Sequence, residues 1–359
     1  MVVRNSPAAR RALDEATREA ARAAELAALP VHHPHAAGID VGDTSHWVCV
    51  ATTPDGSDTV REFPAHTPGL RQLVAWLRHC GVTTVALEAT GVYGHVLYLT
   101  LLEAGLHVVT TSPKFAKQIQ GRPKTDKRDC QWIQRLHSHG LLPPIFQPDE
   151  ATHTLRDYVR QRANLVRLSG QHIQRMQKAL ELMNLKLTGV LGDVTGVTGL
   201  KIIRAIVAGE RDPDVLASMR DVRCRESVET IRAALVGNYQ PEHVFALAQA
   251  LALYDSYQVQ IGECDRQIEQ TLELLIVDKA EPQEPLGAPR TRTKQTNSLN
   301  FDVRPLLHQL TGIDLTQIHG IGPSVALELV AECGTDLSRW PTEKHFTSWL
   351  TLSPGCKIS

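Results

Sequence analysis

The first part of the chain is a succession of short apolar runs separated by turns. Valine-rich runs at 36–41 and 46–52 and an alternating run at 59–63 are divided by turns that contain glycine. Apolar alternation bounded by such turns is typical of neighbouring strands joined as hairpins. We therefore predict an antiparallel meander of three strands.

Beyond this meander, helical and strand-like patterns alternate. Apolar residues at helical spacing predict helices over 70–77 and 92–104, and the apolar runs at 82–88 and 106–110 predict two further strands. Three adjacent strands followed by alternating helices and strands indicate an α/β domain with a mixed sheet.

After residue 148 the pattern becomes almost wholly helical, with apolar residues every seven positions beside a more polar seam. The first seam is Val159, Val166, Ile173, Leu180 and Leu187, and the second is Arg162, Ser169, Met176 and Met183. A period of seven over four heptads predicts a coiled-coil-like helix, although the second seam is too polar for a tight zipper. Helical patterns at 228–235 and 244–275 follow, so a second helix can pair back on the first.

This helix also carries more basic than acidic residues. Its acids are Asp157 and Glu181, and its basic residues are Arg156, Arg160, Arg162, Arg167, Arg175, Lys178 and Lys186. A helix of this kind is most often simply solvated. Beside a site for a polyanion, it becomes a candidate face for nucleic acid or for a dimer.

The remaining segments complete a division into five parts. Residues 10–29 predict an amphipathic helix, which a histidine-rich breaker at 32–35 follows, and 281–300 has the composition of a mobile linker. The predicted parts are an N-terminal extension (1–35), the α/β domain (36–150), a helical region (151–280), the linker (281–300) and a small mainly α-helical C-terminal domain (301–359).

A glycine-containing turn opens the main helix of this last domain. In IHGIGPSVALELVAECG, Gly320 and Gly322 allow a tight turn and Pro323 stands at a helix start, where the next backbone N–H groups can receive a phosphate. This pattern is typical of a helix-hairpin-helix turn. A simple glycine-containing connection between two helices explains it equally well.

Composition narrows the class of protein but not its activity. The 359 residues have a formal net charge of −1 and 42% hydrophobic residues, and the seven cysteines show no C-x-x-C spacing. A zinc site or disulfide framework is therefore not expected, and a cytoplasmic location with reduced thiols is. Apolar runs long enough to span a membrane, and an N-terminal signal core, are absent from the sequence.

Four carboxylates occupy positions from which their side chains can meet at a single site. Asp40 ends the first predicted strand and Glu88 the fourth, while Asp126 and Asp129 lie three residues apart at the start of a helix that Thr125 can cap. Side chains at the ends of neighbouring strands meet at one sheet edge, and the helix can pack across that edge. We predict a site for Mg²⁺, which prefers oxygen ligands, with two ions as the expected number. The alternative is that these acids are structural or belong to a solvated, salt-bridged helix.

Basic residues surround the acid pair. They are Lys114, Lys117, Arg122, Lys124, Lys127 and Arg128. Cations clustered beside carboxylates indicate a metal held where a polyanion is also bound, and such side chains would hold backbone phosphates without reading sequence.

The segment around Asp40 permits a rival interpretation. The residues GIDVGDTS also resemble the first phosphate loop of actin-like ATPases and sugar kinases. That interpretation requires a second glycine-rich phosphate loop and an adenosine motif downstream, and the sequence contains neither. It also leaves the basic stretch around Asp126 unexplained.

Several blocks together resemble one family, the DEDD transposases of bacterial insertion sequences. They are AAGIDVGDTSHWV, VALEATGVYG, SPKFAKQIQGRPKTDKRDCQWI, GIGPSVALELVAECG and LTLSPGCKIS, in order from residue 36 to 359. The resemblance implies a RuvC-like, ribonuclease-H-type fold and identifies Asp40, Glu88, Asp126 and Asp129 as metal ligands. It further implies a non-coding guide RNA that pairs with donor and target DNA, and a homodimer that assembles into a tetramer.

The resemblance also implies a serine nucleophile that becomes covalently linked to DNA, and Ser359 is the matching position. In relatives a glycine-rich, basic stretch follows this serine, whereas here the sequence stops at it. We therefore expect a truncated copy that keeps its metal and RNA sites but recombines poorly. Two alternatives stay open: a structure-selective RuvC-like endonuclease that uses metal-activated water, and a non-catalytic nucleic-acid-binding remnant.

Overall fold

A computed structural model describes residues 28–88, 91–112, 125–290 and 296–352. The chain divides into two units, Met1–Gln147 and Pro148–Ser359. The first unit is built around a mixed sheet and the second consists of helices, so an α/β domain followed by a helical region is confirmed.

The sheet of the first unit has five strands and its order departs from the order along the chain. The strands are β1 Ala36–Val41, β2 Ser45–Val50, β3 Val60–Pro64, β4 Thr84–Glu88 and β5 His107–Thr111, and the helices are α1 Thr67–His79, α2 Tyr93–Glu103 and α3 Asp126–Ser138. The strand order is β3-β2-β1-β4-β5. β1, β2 and β3 pair antiparallel, which confirms the predicted meander, and β4 and β5 extend it in parallel.

Alternate side chains give the two faces of this sheet different partners. On one face, residues such as Ile39 and Leu87 pack in a buried apolar cluster with side chains of α1 and α2. On the other face, Ala86 packs with Ile133 and Leu136 of α3. The sheet is therefore covered on both sides. Among the described helices of this unit, α3 alone covers the second face.

Gly38 lets α3 approach β1 closely. A Cβ atom at this position would overlap the backbone nitrogen of Gln134 and lie 2.6 Å from the carbonyl oxygen of Cys130. Only glycine leaves room for this helix backbone, and a glycine inside a strand commonly marks such an approach. Thr125 caps α3 by accepting a hydrogen bond from the Arg128 amide, as the sequence predicts.

We expect Gly38→Ala to destabilise the first unit by about 2–3 kcal/mol, because the added methyl group meets backbone atoms that cannot move independently. Hydrogen exchange of β1 and α3 amides measures this loss. Gly170→Ala is the matched control, since Gly170 lies in a helix with open space around it and alanine should be mildly stabilising there. Equal protection in both variants would contradict the proposed close contact.

The histidine-rich segment before β1 is fixed to the C-terminal end of α3. The amides of His32 and His33 donate to the Ser138 carbonyl at 2.8 and 2.9 Å. The His33 ring stacks on His137, whose ring is buried and lies 2.9 Å from the Thr84 hydroxyl. Burial, followed by the neighbouring His33 and His107, lowers the pKa of His137 to about 4.

This pKa predicts a loss of stability in acid. Above pH 6.5 the His137 ring is neutral in both the folded and the unfolded chain. Between about pH 6.5 and 4 only the unfolded chain takes up the proton, so stability falls by up to about 3 kcal/mol. Urea midpoints of the first unit from pH 4 to 7 should decline less steeply in His137→Gln. Parallel declines in both proteins would assign the effect to other groups.

The second unit contains nine helices in its described part. They are α4 Glu150–Leu182, α5 Leu187–Val190, α6 Val197–Val207, α7 Pro213–Ser218, α8 Val228–Ala234, α9 Pro241–Ile276, α10 Arg304–Thr311, α11 Pro323–Cys333 and α12 Glu343–Trp349, and a 3₁₀ turn spans Leu315–Gln317. The long helices α4 and α9 pack along each other, as the paired pattern suggests. One apolar cluster joins them to α6, α7 and α8, and another joins them to α10 and α11.

The heptad prediction is wrong about the length of the helix, and the burial of its polar seam adds a feature that it did not include. The helix ends at Leu182, and Asn184 then takes a positive φ of 56°, so the last heptad position falls in a separate helix. The more polar seam is also the more deeply buried one. Arg162 forms a buried ion pair with Asp265 of α9, and Ser169 accepts a hydrogen bond from Gln258 at 3.1 Å. These partners explain why polar residues occupy that seam.

Several cations of α4 are engaged within the chain instead of forming an open basic face. Arg156 donates to the carbonyl oxygens of Ala331 and Glu332, and Arg160 makes two hydrogen bonds of 2.7 Å to the Glu332 carboxylate. Lys186, just beyond the end of α4, pairs with Glu181 of the helix. Arg175 and Lys178 remain exposed, so the candidate nucleic-acid face on this helix is narrower than its sequence suggests.

The described parts of the segment 281–300 make specific contacts in the second unit. The Gly287 carbonyl accepts from Arg304, the Asn297 carbonyl accepts from Arg162, and the Asn300 amide donates to Asp265. The interpretation of this segment as a mobile linker therefore does not apply to its two ends. Its low apolar content misled the prediction because backbone groups, rather than side chains, make most of these contacts.

Candidate functional site

Two of the predicted acids end neighbouring parallel strands. Ile39 of β1 is in register with Leu87 of β4, so Asp40 and Glu88 are the next residues on adjacent strands. Both are half-buried. Each lies two positions after a residue that faces α3, namely Gly38 and Ala86, and alternation therefore places both acids on the face that α3 covers.

The direction of α3 brings its first turn to the same edge. Near the start of the strands, His137 contacts Thr84 and the Gln134 side chain reaches the Ala36 carbonyl at 3.4 Å. Further along β1, Cys130 lies against Gly38. The helix thus runs opposite to β1, and its first turn, which carries Asp126 and Asp129, lies toward the strand ends that carry Asp40 and Glu88.

The Cys130 thiol shows that Asp40 and Asp129 share surroundings. Burial, then Cys49, Asp40 and more weakly Asp129 raise the pKa of Cys130 well above its usual range. A thiol on α3 therefore experiences the negative charge of both acids. Burial also raises the pKa of Cys49 to about 12, so both thiols are protonated and unreactive at neutral pH.

The carboxylate oxygens at this sheet edge suit a hard divalent cation, although the side chains are not arranged around a metal position. Asp129 is half-buried and Asp126 exposed, and all four candidates supply carboxylate oxygens. In the parts of the chain that the structure describes, no group of three or more His, Cys, Asp or Glu residues is arranged to hold a metal ion. Magnesium retains waters and substrate phosphate, so one or two protein carboxylates suffice for it. The residues therefore fit Mg²⁺ by ligand type.

Of the six predicted basic residues, Lys127 and Arg128 lie in the part of the chain that the structure describes. Lys127 forms a 3.4 Å ion pair with Asp58, and both side chains are exposed, as is Arg128. Such a surface pair contributes little to stability and leaves the lysine available to a polyanion. Outside the described residues lie Lys114, Lys117, Arg122, Lys124 and the proposed nucleophile Ser359.

Two residues near the site have structural roles. Trp132 packs against the cluster of Ala86, Ile133 and Leu136 and so belongs to the core between α3 and the sheet. Gly38 was not among the candidates, yet it determines how closely α3 approaches Asp40. Its signal was a lone glycine within an apolar strand.

Comparison with known proteins gives two matches to transposase families. Residues 37–185 match a family model described as transposase, of the DEDD type of the IS110 group, and residues 314–359 match one described as transposase IS116/IS110/IS902 family. Together they cover more than half of the chain. The chain belongs to the IS110 family of transposases. All four acids lie in the first matched region, as does the segment that also resembles an ATPase phosphate loop.

A curated relative of this IS110-family chain comes from Sinorhizobium fredii (strain NBRC 101917 / NGR234) and carries the name of a transposase, y4qE. The two are 27% identical over 143 residues, which is 39% of this chain and 36% of the relative. The match thus spans about a third of the relative's length. In the described part of this chain, no helix is both long and apolar enough to cross a membrane.

Proposed function

We propose that this protein is a transposase that cuts and rejoins DNA by metal-assisted phosphoryl transfer. In this proposal Asp40, Glu88, Asp126 and Asp129 hold Mg²⁺, with two ions as the expected number, in a RuvC-like domain of the ribonuclease-H type. The observation that carries it is the parallel register that sets Asp40 beside Glu88 on the face covered by α3. Membership of the IS110 family supports the choice of DNA as substrate.

The protein groups have distinct tasks in this reaction. Asp40, at the end of a central strand, is the ligand best placed to be shared, and Glu88, Asp126 and Asp129 complete the oxygen donors from an adjacent strand and from α3. Mg²⁺ held by these carboxylates, with two ions as the expected number, would supply charge stabilisation for the attacking and leaving oxygens. Lys127 and Arg128, with the basic residues before them, bind backbone phosphates and contribute salt-dependent affinity.

The serine nucleophile, the guide RNA and the oligomer in this proposal are taken from the family resemblance. The Ser359 hydroxyl oxygen attacks the scissile phosphorus, its proton is lost to solvent, and the broken P–O bond leaves a deoxyribose hydroxyl that takes up a proton. A Ser–O–P link to DNA results. A guide RNA supplies sequence choice by pairing with donor and target DNA, so the protein needs few base-reading side chains. A homodimer, paired into a tetramer, holds the two DNAs.

One assay tests the reaction and its nucleophile together. The full chain is incubated with DNA carrying the element end, with the RNA transcribed from the flanking element, and with Mg²⁺ or EDTA. We expect strand cleavage only with Mg²⁺ and a protein–DNA adduct whose tryptic peptide contains Ser359. Mass spectrometry of the digested adduct locates the linkage.

The other outcomes identify the alternatives. Mg²⁺-dependent cleavage without any adduct would replace the serine recombinase by a RuvC-like endonuclease that uses metal-activated water. Binding without cleavage, unchanged by Mg²⁺, would indicate a non-catalytic nucleic-acid-binding protein. An adduct through another residue would keep the transposase and reject Ser359.

A further inference from the structure

An indole occupies the same row of the sheet as the two strand-end acids. The antiparallel register of β1 and β2 sets Trp47 directly opposite Asp40. Because β2 lies on the side of β1 away from β4, the row consists of Glu88, Asp40 and Trp47 on three adjacent strands. Directly opposed residues of an antiparallel pair share a face, with Cβ atoms about 4.5–5.5 Å apart. Trp47 therefore lies beside Asp40 on the face that α3 covers.

A small buried cluster holds the Trp47 side chain from within the sheet. Cys49, Val60 and Cys130 form this cluster, and each is at most 5% exposed. Cys49 and Val60 are paired on β2 and β3, and Cys130 belongs to α3. Trp47 packs against these residues but is itself only half-buried. The cluster thus fixes the indole, while part of the ring stays open to solvent.

Among the described residues, no other ring and no guanidinium stacks on Trp47. Trp76, on the opposite face of the sheet, provides the contrast. The centre of its ring lies 5.5 Å from the Phe63 ring centre and 5.1 Å from the Arg61 guanidinium carbon. The N–H group of Trp47 also lacks a hydrogen bond within the described chain. It does not belong to the buried donors without a partner, whereas the Trp76 N–H does, so the Trp47 N–H reaches solvent.

An open indole beside a site for phosphate chemistry suits the planar face of a nucleobase. Stacking on an aromatic side chain tolerates any base, because every base has a π-face. Inside an intact duplex, the neighbouring base pairs cover that face, and exposing it requires the base to leave the stack. The position next to Asp40 therefore fits a nucleotide that is already unpaired beside the phosphate at the acid edge.

We propose that Trp47 stacks on an unpaired base of the DNA strand whose phosphate lies at the edge formed by Asp40 and Glu88. The choice of DNA rests on the proposed function, while the stacking rests on the open ring and its register with Asp40. This contact orients the strand at the carboxylates. It also gives the site a preference for DNA that is open next to the cleaved bond over an intact duplex.

Two variants of Trp47 separate stacking from packing. Trp47→Phe keeps an aromatic face, whereas Trp47→Leu keeps only apolar packing against Cys49, Val60 and Cys130. Thermal unfolding and hydrogen exchange of the β2 amides establish that each variant is folded.

Binding is measured with the full chain in EDTA, using a fluorescent blunt duplex and a fork with unpaired arms. We expect Trp47→Leu to bind the fork about tenfold more weakly than the natural protein, and the blunt duplex within about twofold. Trp47→Phe should bind the fork within about threefold of the natural protein. The salt dependence of fork binding should be unchanged in both variants, since stacking neutralises no phosphate.

A spectroscopic measurement keeps the proposal testable if the leucine variant does not fold. When fluorotryptophan replaces tryptophan, the fluorine resonance of Trp47 is identified by its loss in Trp47→Phe. The fork should shift this resonance, and the blunt duplex should leave it in place. A tryptophan with only a packing role would give the same resonance with both DNAs.

Equal fork affinity of the leucine variant and the natural protein would overturn the proposal, as would equal losses on both DNAs or an unshifted Trp47 resonance. A forked RNA of the same sequence is the last comparison. An effect of Trp47→Leu on the RNA alone would reject the DNA assignment. Because EDTA removes metal-dependent chemistry, failure here leaves the carboxylate site untouched. Failure of Mg²⁺-dependent cleavage likewise leaves this binding result intact.

Discussion

Asp40→Asn is expected to lower the rate of Mg²⁺-dependent DNA cleavage about a thousandfold, while Asp43→Asn leaves it within about threefold. Asp40 ends a central strand beside Glu88, on the face toward α3. A bound metal ion contributes several kcal/mol of transition-state stabilisation, and each 1.36 kcal/mol corresponds to a factor of ten in rate. Asn keeps the size and hydrogen-bonding capacity of the side chain but removes the charge that binds the cation.

Asp43 is the matched control because it is an exposed acid in the turn that follows β1, three residues after Asp40. Single-turnover cleavage of element-end DNA at saturating protein gives the rate, and hydrogen exchange of β1 confirms that both variants are folded. Equal rate losses in the two variants would show that charge in the loop, rather than a ligand at the strand end, matters. Full activity of Asp40→Asn would remove Asp40 from the metal site.

Local signals explain which parts of the fold were predictable. The strands were found to within about two residues because valine-rich alternation and glycine turns are properties of neighbouring residues. The start of α3 was likewise determined locally, since Thr125 caps the helix that carries Asp126. The edge shared by Asp40 and Glu88 was predicted from a general property of parallel strands, and their role as ligands stays a prediction.

Long-range partners explain what the sequence left open. The polar seam of α4 reads as a poor helix interface until Asp265, about a hundred residues later, is placed opposite Arg162. The ends of segment 281–300 are fixed by hydrogen bonds between their backbone groups and side chains elsewhere in the second unit. Such bonds leave no trace in the composition of the segment. Position 38 is a similar case, because only the close approach of α3, which begins almost ninety residues later, requires a glycine there.

Asp265→Ala is expected to destabilise the second unit by about 3–5 kcal/mol. Asp265 is 1% exposed and Arg162 9% exposed, and the Asp265 carboxylate also accepts from the Asn300 amide at 3.1 Å. Removing the carboxylate leaves a buried guanidinium without its counter-charge, and this loss is larger than the net value of the pair. Urea unfolding followed by hydrogen exchange in α4 and α9 measures the change.

Two comparisons separate a buried unpaired charge from a merely lost contact. The double variant Arg162→Met with Asp265→Leu should recover most of the stability, because an apolar pair of similar volume replaces the ions without a desolvation cost. Asp255 lies on the same helix as Asp265 and forms an exposed, doubly hydrogen-bonded pair with Arg204 of α6. Asp255→Ala breaks this pair and should cost no more than about 1 kcal/mol. If the double variant were as unstable as Asp265→Ala, packing around the carboxylate, and not the charge left on Arg162, would be what holds α4 against α9.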